Sequence, residues 1–201
     1  QPSMAQEKHD QALEQGAKAM ESMGTKDEIA VGSHEIAQDA HEHTKEMDEA
    51  KLKELVLYVA TKCERDPSFG AIKLNKILWL ADFLAYGEFG KPITGAEYCA
   101  LEHGPALRLF PAIRADMERA GDIIMRKREM FGNRQIRVVP LRKPVLAKFT
   151  AQEIALVDDL IAAYEGTTAT ALSNWTHRLH AWQLTEYKDT IPYQAVFLCG
   201  E

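Results

Sequence analysis

The first aromatic side chain in this sequence is Tyr58, and nothing before it can build a hydrophobic core. Up to that point the apolar residues are scattered: Leu13, Met20, Met23, Ile29, Val31, Ile36 and Met47. Such a segment buries too little surface to offset the entropy of ordering it. It can still form helix where it docks on something. Ala5 to Met23 is rich in the helix formers Ala, Glu, Gln and Lys, and Thr25 to Glu28 has the spacing of a capping box. Charge divides the chain at the same place. Residues 1–47 hold four lysines against ten acids, which accounts for the whole net charge of −6. The remainder is neutral, with 20 basic and 20 acidic side chains. The sequence therefore predicts an acidic helical extension over 1–47 and one globular domain over 48–201.

From Asp48 the pattern is that of a mainly α fold with a minor β-hairpin. Leu52, Leu55, Val56, Val59 and Cys63 recur at helical spacing until Asp66 and Pro67 end the run. A second helix presents Leu74, Ile77, Leu78, Ala81 and Leu84 on one side, with Lys73, Lys76 and Asp82 off that stripe; Gly87, Gly90 and Pro92 mark its exit. Ile113, Met117 and Ala120 predict a third helix, which either Pro105 or Pro111 can open and Gly121 can close. Ile123 to Val139 is rich in β-branched and long side chains around Gly132-Asn133, the pattern of a hairpin. Thr150 to Glu153 is a second capping box, opening a helix on Ile154, Val157, Leu160, Ile161 and Tyr164. A last helix is expected to carry Leu172, Trp175, Leu179 and Trp182. The tail from Ile191 to Leu198 reads as extended and packed on the core.

Several function classes are not supported. Cys63, Cys99 and Cys199 are odd in number and form no CxxC pair, so neither a disulfide framework nor a zinc ribbon is expected. No apolar run approaches the roughly 20 residues of a membrane span, and the N-terminal stretch lacks the apolar run of a signal peptide. A reduced, cytoplasmic location is the expectation. There is no P-loop and no GxGxxG, so no nucleotide cofactor is indicated. His34, His41 and His43, with Glu35 and Glu42, invite a metal reading, but HExxH is absent and a solvated helix face accounts for them. Ser173, His177 and His180 share a helical face, yet no strand-to-helix turn exposes the serine and no oxyanion donors are in view. Neither a catalytic group nor a metal ligand is assigned.

The hairpin and its exit are basic: Arg126, Lys127, Arg128, Arg134, Arg137, Arg142 and Lys143. Helices followed by a basic hairpin resemble a winged helix, whose wing tracks phosphates. The domain has no net positive charge, however, and no helix presents the Arg, Asn and Gln side chains of base readout. Nucleic acid is therefore not the expected partner. The same surface suits an acidic protein partner or the N-terminal extension.

Two stretches are more telling when taken whole. One runs Lys73-Leu-Asn-Lys-Ile-Leu-Trp-Leu-Ala-Asp-Phe83, then Gly90-Lys-Pro-Ile-Thr-Gly-Ala-Glu-Tyr98, then Glu102-His-Gly-Pro105. The other is Leu172-Ser-Asn-Trp-Thr-His177, followed by Trp182 and Ile191-Pro-Tyr193. In this order they resemble the Panacea antitoxin domain, the SocA-like family, over about Asp48 to Leu198. One departure is visible. The family pattern often has a second proline soon after the Gly-Pro pair, and here it comes late, at Pro111.

The motif residues make sense as scaffold. They are Lys73, Leu74, Asn75, Lys76, Trp79, Asp82 and Phe83 on the second helix, and Gly90, Pro92, Thr94, Gly95, Tyr98, His103, Gly104 and Pro105 after it. Ser173, His177, Trp182, Pro192 and Tyr193 complete the set. Gly95 and Gly104 permit backbone angles that other residues resist, Pro92 and Pro105 fix turns, and Lys73, Asn75, Asp82, His103 and His177 are candidates for an internal polar network.

The resemblance implies a bacterial or phage-encoded antitoxin that neutralises a toxin by direct binding, without enzymatic activity. The toxins of this family include tRNA-directed nucleotidyl transferases that block translation. One branch of the family acts instead as an adaptor delivering its toxin to a ClpXP-type protease. Partner contacts are expected outside the motif, at Arg126, Lys127, Arg128, Arg134 and Arg137 on the hairpin. On the acidic extension, Glu35, Asp39 and Glu42 are the candidates, mimicking phosphates in the groove of an RNA-targeting toxin.

Overall fold

The computed structural model describes residues 47–130 and 133–198, and Asp48 opens the first helix among the described residues. The acidic extension, including Glu35, Asp39, Glu42, the three histidines and the Thr25 to Glu28 box, lies outside the described residues. Helix α1 spans Glu49–Lys62; the Asp48 carboxylate accepts the Lys51 backbone N–H at 2.8 Å and caps it. Helix α2 spans Ala71–Phe89 and ends at Gly90, whose left-handed φ of 73° fits the residue that closes a helix. Helix α3, Phe110–Arg119, has proline in its first turn, so Pro111 is the opener and Pro105 is not. Helix α4, Ala151–Ala163, carries the expected capping box: Thr150 and Glu153 each accept the other's backbone N–H.

The fold is mainly α, with two small antiparallel hairpins. The expected one pairs β3 (Ile123–Met130) with β4 (Asn133–Pro140), in the register Arg126 opposite Arg137 and Lys127 opposite Ile136. The other was not expected. It pairs β1 (Tyr98–Leu101) with β2 (Gly104–Leu107) around a turn at Glu102 and His103, and places Pro105 inside a strand.

Two further expectations are corrected. The last helix is broken into α5 (Ala169–Thr176) and α6 (His180–Gln183), with Leu179 extended between them. The break turns Trp182 back so that its indole N–H donates to the Leu101 carbonyl at 3.2 Å. The tail forms a short 3₁₀ helix over Tyr193–Phe197 instead of an extended segment. It does pack on the core, and the Tyr193 hydroxyl donates to the Ala96 carbonyl at 2.5 Å.

Helix α2 is the axis of the domain. It touches α1, α4, α5, β2, β4 and the 3₁₀ helix, and every residue from Lys73 to Tyr86 is buried. Apolar residues around its whole circumference, Trp79 and Phe83 among them, contribute to one core with Leu52, Val56, Tyr98, Tyr164 and Trp175. Each such side chain contributes about 1.5–3 kcal/mol by leaving water. Polar residues on a helix covered on all sides must find partners inside. No helix among the described residues is long and apolar enough to cross a membrane.

Candidate functional site

The polar residues of α2 sort into two groups by what satisfies them. Lys73 is 1% exposed, and its ammonium donates to the Asp66 carboxylate at 2.5 Å, to the Thr167 carbonyl at 3.1 Å and to the Tyr164 carbonyl. Asp66 also accepts the Ser68 backbone N–H at 2.8 Å. Three donors meet three acceptors, so the buried charge is fully matched. Asp82, fully buried at the far end of the helix, accepts the Thr94 backbone N–H at 2.6 Å, the Thr94 hydroxyl at 2.5 Å and the Tyr98 hydroxyl at 2.8 Å. Burial raises the Asp82 carboxyl above its ordinary pKa, and these hydrogen bonds oppose the rise. Asn75 bridges α2 to β2: it accepts the Leu107 backbone N–H at 3.0 Å and donates to the Ala71 carbonyl at 2.8 Å.

Lys76 is different. It is as buried as Lys73, yet its one hydrogen bond with a described residue runs to the Pro105 carbonyl, at 2.7 Å. Burial pushes its amine down to about 7. The β1–β2 turn folds over it at Gly104, where φ is 89°. A Cβ on Gly104 would lie 2.5 Å from Thr176 Oγ1 and 2.8 Å from Lys76 Nζ. Only glycine fits both the angle and the space. Beside this turn His177 lies against Trp182, with ring centroids 4.2 Å apart. Burial, followed by the Lys76 charge, holds the imidazole below its ordinary pKa. Ser173 is buried on α5 and His180 lies beyond the helix break, so the three residues do not share one helical face.

The hairpin bases also divide. Arg137 points inward, donating to the carbonyls of Cys63 at 3.0 Å, Asp66 at 2.9 Å, Phe69 at 3.4 Å and Glu64. It thus ties the hairpin to the loop between α1 and α2. Arg126, Lys127, Arg128 and Arg134 are exposed, and none of them forms an ion pair with another described residue. At the hairpin's exit Arg142 clamps Glu54, at 2.9 and 2.7 Å, and Asp122, at 2.6 Å.

This clamp makes stability depend on acid. Arg142 first, with the Val145 N–H, holds the Glu54 carboxyl below its ordinary value of 4.5. A depressed carboxyl stabilises the fold above its unfolded pKa, and that contribution is lost as pH falls through the folded value. Glu54→Gln is expected to cost about 1–2 kcal/mol at neutral pH, with solvent screening at the half-exposed Arg142 keeping it at the low end. The difference from the parent chain should shrink below about pH 4, as urea unfolding at a series of pH values will show.

Between the hairpin and α2 runs a groove that sequence reasoning missed. One part, about 470 Å³, lies among Gly70, Ile72, Arg134, Ile136 and Thr168. The adjoining part, about 410 Å³, lies among Ile72, Lys76, Glu102, Phe110, Arg114 and Ile136. Ile72 and Ile136, 38% and 43% exposed, stand where the two parts meet. Of the residues singled out in the sequence, the structure brings Asn75, Lys76, His103, Gly104 and Arg134 to this groove. Lys73, Trp79, Asp82, Tyr98 and Tyr193 are in the interior.

No curated protein and no solved structure matches this chain. The family model described as "Antitoxin SocA-like, Panacea domain" matches residues 74–183, from the axial helix through the Trp182 turn. With more than half of the chain covered, this protein belongs to the SocA-like antitoxin family and carries its Panacea domain.

Proposed function

We propose that this protein is an antitoxin that neutralises a cognate toxin by binding it, and that it catalyses no reaction. Family membership carries the reading. The use of the motif residues supports it: Lys73, Asn75, Asp82, Tyr98, Trp182 and Tyr193 all spend their polar atoms on internal hydrogen bonds. That is the behaviour of a scaffold. The groove and the exposed bases of the hairpin tip remain available, and a basic rim around an apolar floor suits an acidic protein surface.

Co-expression with the product of the adjacent open reading frame tests the proposal. Growth arrest by that product should be relieved, and the two proteins should co-purify. Arg126→Glu, Lys127→Glu and Arg128→Glu together are expected to weaken the complex at least tenfold, about 1.4 kcal/mol, while the unfolding midpoint stays put because these side chains are exposed. Relief of arrest with no complex and falling toxin levels would instead indicate delivery to a ClpXP-type protease. Undiminished relief after deletion of residues 1–47 would remove the phosphate-mimic role of Glu35, Asp39 and Glu42, and with it the specific expectation of an RNA-targeting toxin.

A further inference from the structure

Helix α2 buries two lysines, three positions apart, and gives them unequal treatment. An ammonium has three N–H donors and carries its charge at one point. Lys73 places one donor on a carboxylate and two on carbonyls. Lys76, equally buried at 1% exposure, has the Pro105 carbonyl alone, and no carboxylate of a described residue lies within ion-pairing distance of it. Burying a cation without a counter-charge is costly unless something supplies one.

The space for that something borders Lys76. The 410 Å³ part of the groove is lined by Lys76 itself, by Asn75 and by the turn Glu102–Gly104. Arg114 on α3 and His103 on the turn also line it, and His177, behind the turn, has a buried Nε2 with no hydrogen-bond partner among the described residues. Arg114 is itself 3.5 Å from Glu118, and Glu102 is the one acid on the lining, exposed at the rim.

We propose that this cleft binds a carboxylate group, whose oxygens pair with the Lys76 ammonium as Asp66 pairs with Lys73. Charge balance selects the ligand class. One buried ammonium neutralises one monoanion, whereas a phosphate would leave surplus negative charge in a poorly hydrated space. The carboxylate comes either from a protein segment, as an acidic side chain or chain end, or from a free small carboxylic acid. Assigning it to a bound toxin rests on the antitoxin reading; the affinity for carboxylates does not.

Proton linkage gives the site a signature. Only the ammonium and the carboxylate pair, so affinity is level between about pH 5, where the carboxyl is ionised, and the free amine's pKa of about 7, and falls about tenfold per pH unit above it. The other titratable groups around the cleft are Glu102, His103, Arg114, His177 and Tyr187. The His177 imidazole, held below its ordinary value of 6.5, loses its charge well before pH 8, so it does not account for a continued fall above about pH 8.

The test uses the full chain labelled with ¹³C at the lysine Cε positions, the Lys76 signal being assigned from Lys76→Met. Acetate, the peptide acetyl-Ala-Glu-Ala-amide, its Gln counterpart and inorganic phosphate are titrated in turn. Acetate or the Glu peptide should shift Lys76 saturably, leave Lys73 in place, and raise the Lys76 pKa by at least about one unit. The Gln peptide should do nothing. Tighter binding of the Glu peptide identifies a protein segment as the source, and tighter binding of acetate a free acid. No saturable shift with either, or preference for phosphate, overturns the proposal. Where Lys76→Met fails to fold, Lys76→Arg, which keeps the charge, supplies the assignment. Saturable binding by a chain that rescues no toxin leaves the site standing and removes only the antitoxin reading.

Discussion

Asp66→Ala is expected to be among the most damaging single substitutions in this domain, costing about 3–5 kcal/mol, because it leaves the Lys73 ammonium buried and unmatched. Asp66 is 6% exposed, so water cannot take over its role at Lys73. For a chain of this size such a loss lowers the melting temperature by roughly 6–20 °C. The pair itself is not the source of stability, since desolvating two charges offsets most of their attraction. The double variant Asp66→Leu, Lys73→Met should therefore recover much of the loss. It will not recover all of it, because the Thr167 carbonyl loses the Lys73 donor and the Tyr164 carbonyl keeps only the Thr167 N–H. Denaturant unfolding of the two single variants and the double variant closes the cycle. A loss below about 1 kcal/mol for Asp66→Ala would mean that the amine is neutral or finds another partner.

Gly104→Ala is the second large effect. The position demands a left-handed φ of 89°, which costs a residue with a Cβ about 1–2 kcal/mol. The added carbon would also meet Thr176 Oγ1 at 2.5 Å and Lys76 Nζ at 2.8 Å. Thr176 is fully buried and its hydroxyl donates to the Ser173 carbonyl at 2.9 Å, so it cannot step aside. Overpacking of this kind adds about 1–3 kcal/mol, for a total of roughly 2–5. The two contributions can be separated. Gly104→Ala with Thr176→Ala should regain much of the steric part and none of the backbone part, as measured by unfolding midpoints. If Gly104→Ala is as stable as the parent, the turn does not pack on Lys76 as described.

The features legible in the sequence are those that local chemistry decides. The capping box at Thr150, the glycine stop at Gly90 and the β3–β4 hairpin around Gly132-Asn133 each depend on neighbours in the chain. The missed features depend on partners far away. Lys73, Lys76 and Asp82 read as lying off an apolar stripe, because periodicity reports where apolar residues fall and not that other elements cover the helix on every side. The β1–β2 hairpin was hidden because Tyr98–Leu101 and Gly104–Leu107 are short and joined by Glu102-His103, which carries no turn signature. No glycine or proline breaks the run from Leu172 to Trp182; the break comes from Trp182 reaching Leu101. The groove was invisible for a related reason. Ile72 and Ile136 are 64 positions apart in the chain, and only the fold sets them side by side.

The start of α1 has a mechanical meaning. The Asp48 backbone N–H donates to the Thr94 carbonyl at 2.9 Å, and Thr94 is gripped twice by the buried Asp82 carboxylate. Tension applied through the residues ahead of Met47 therefore does not peel a frayed helix end. It arrives within two hydrogen-bonded steps at the centre of the core. A machine threading this chain from its N-terminal side would have to break that anchorage first, and the domain would then yield as a unit.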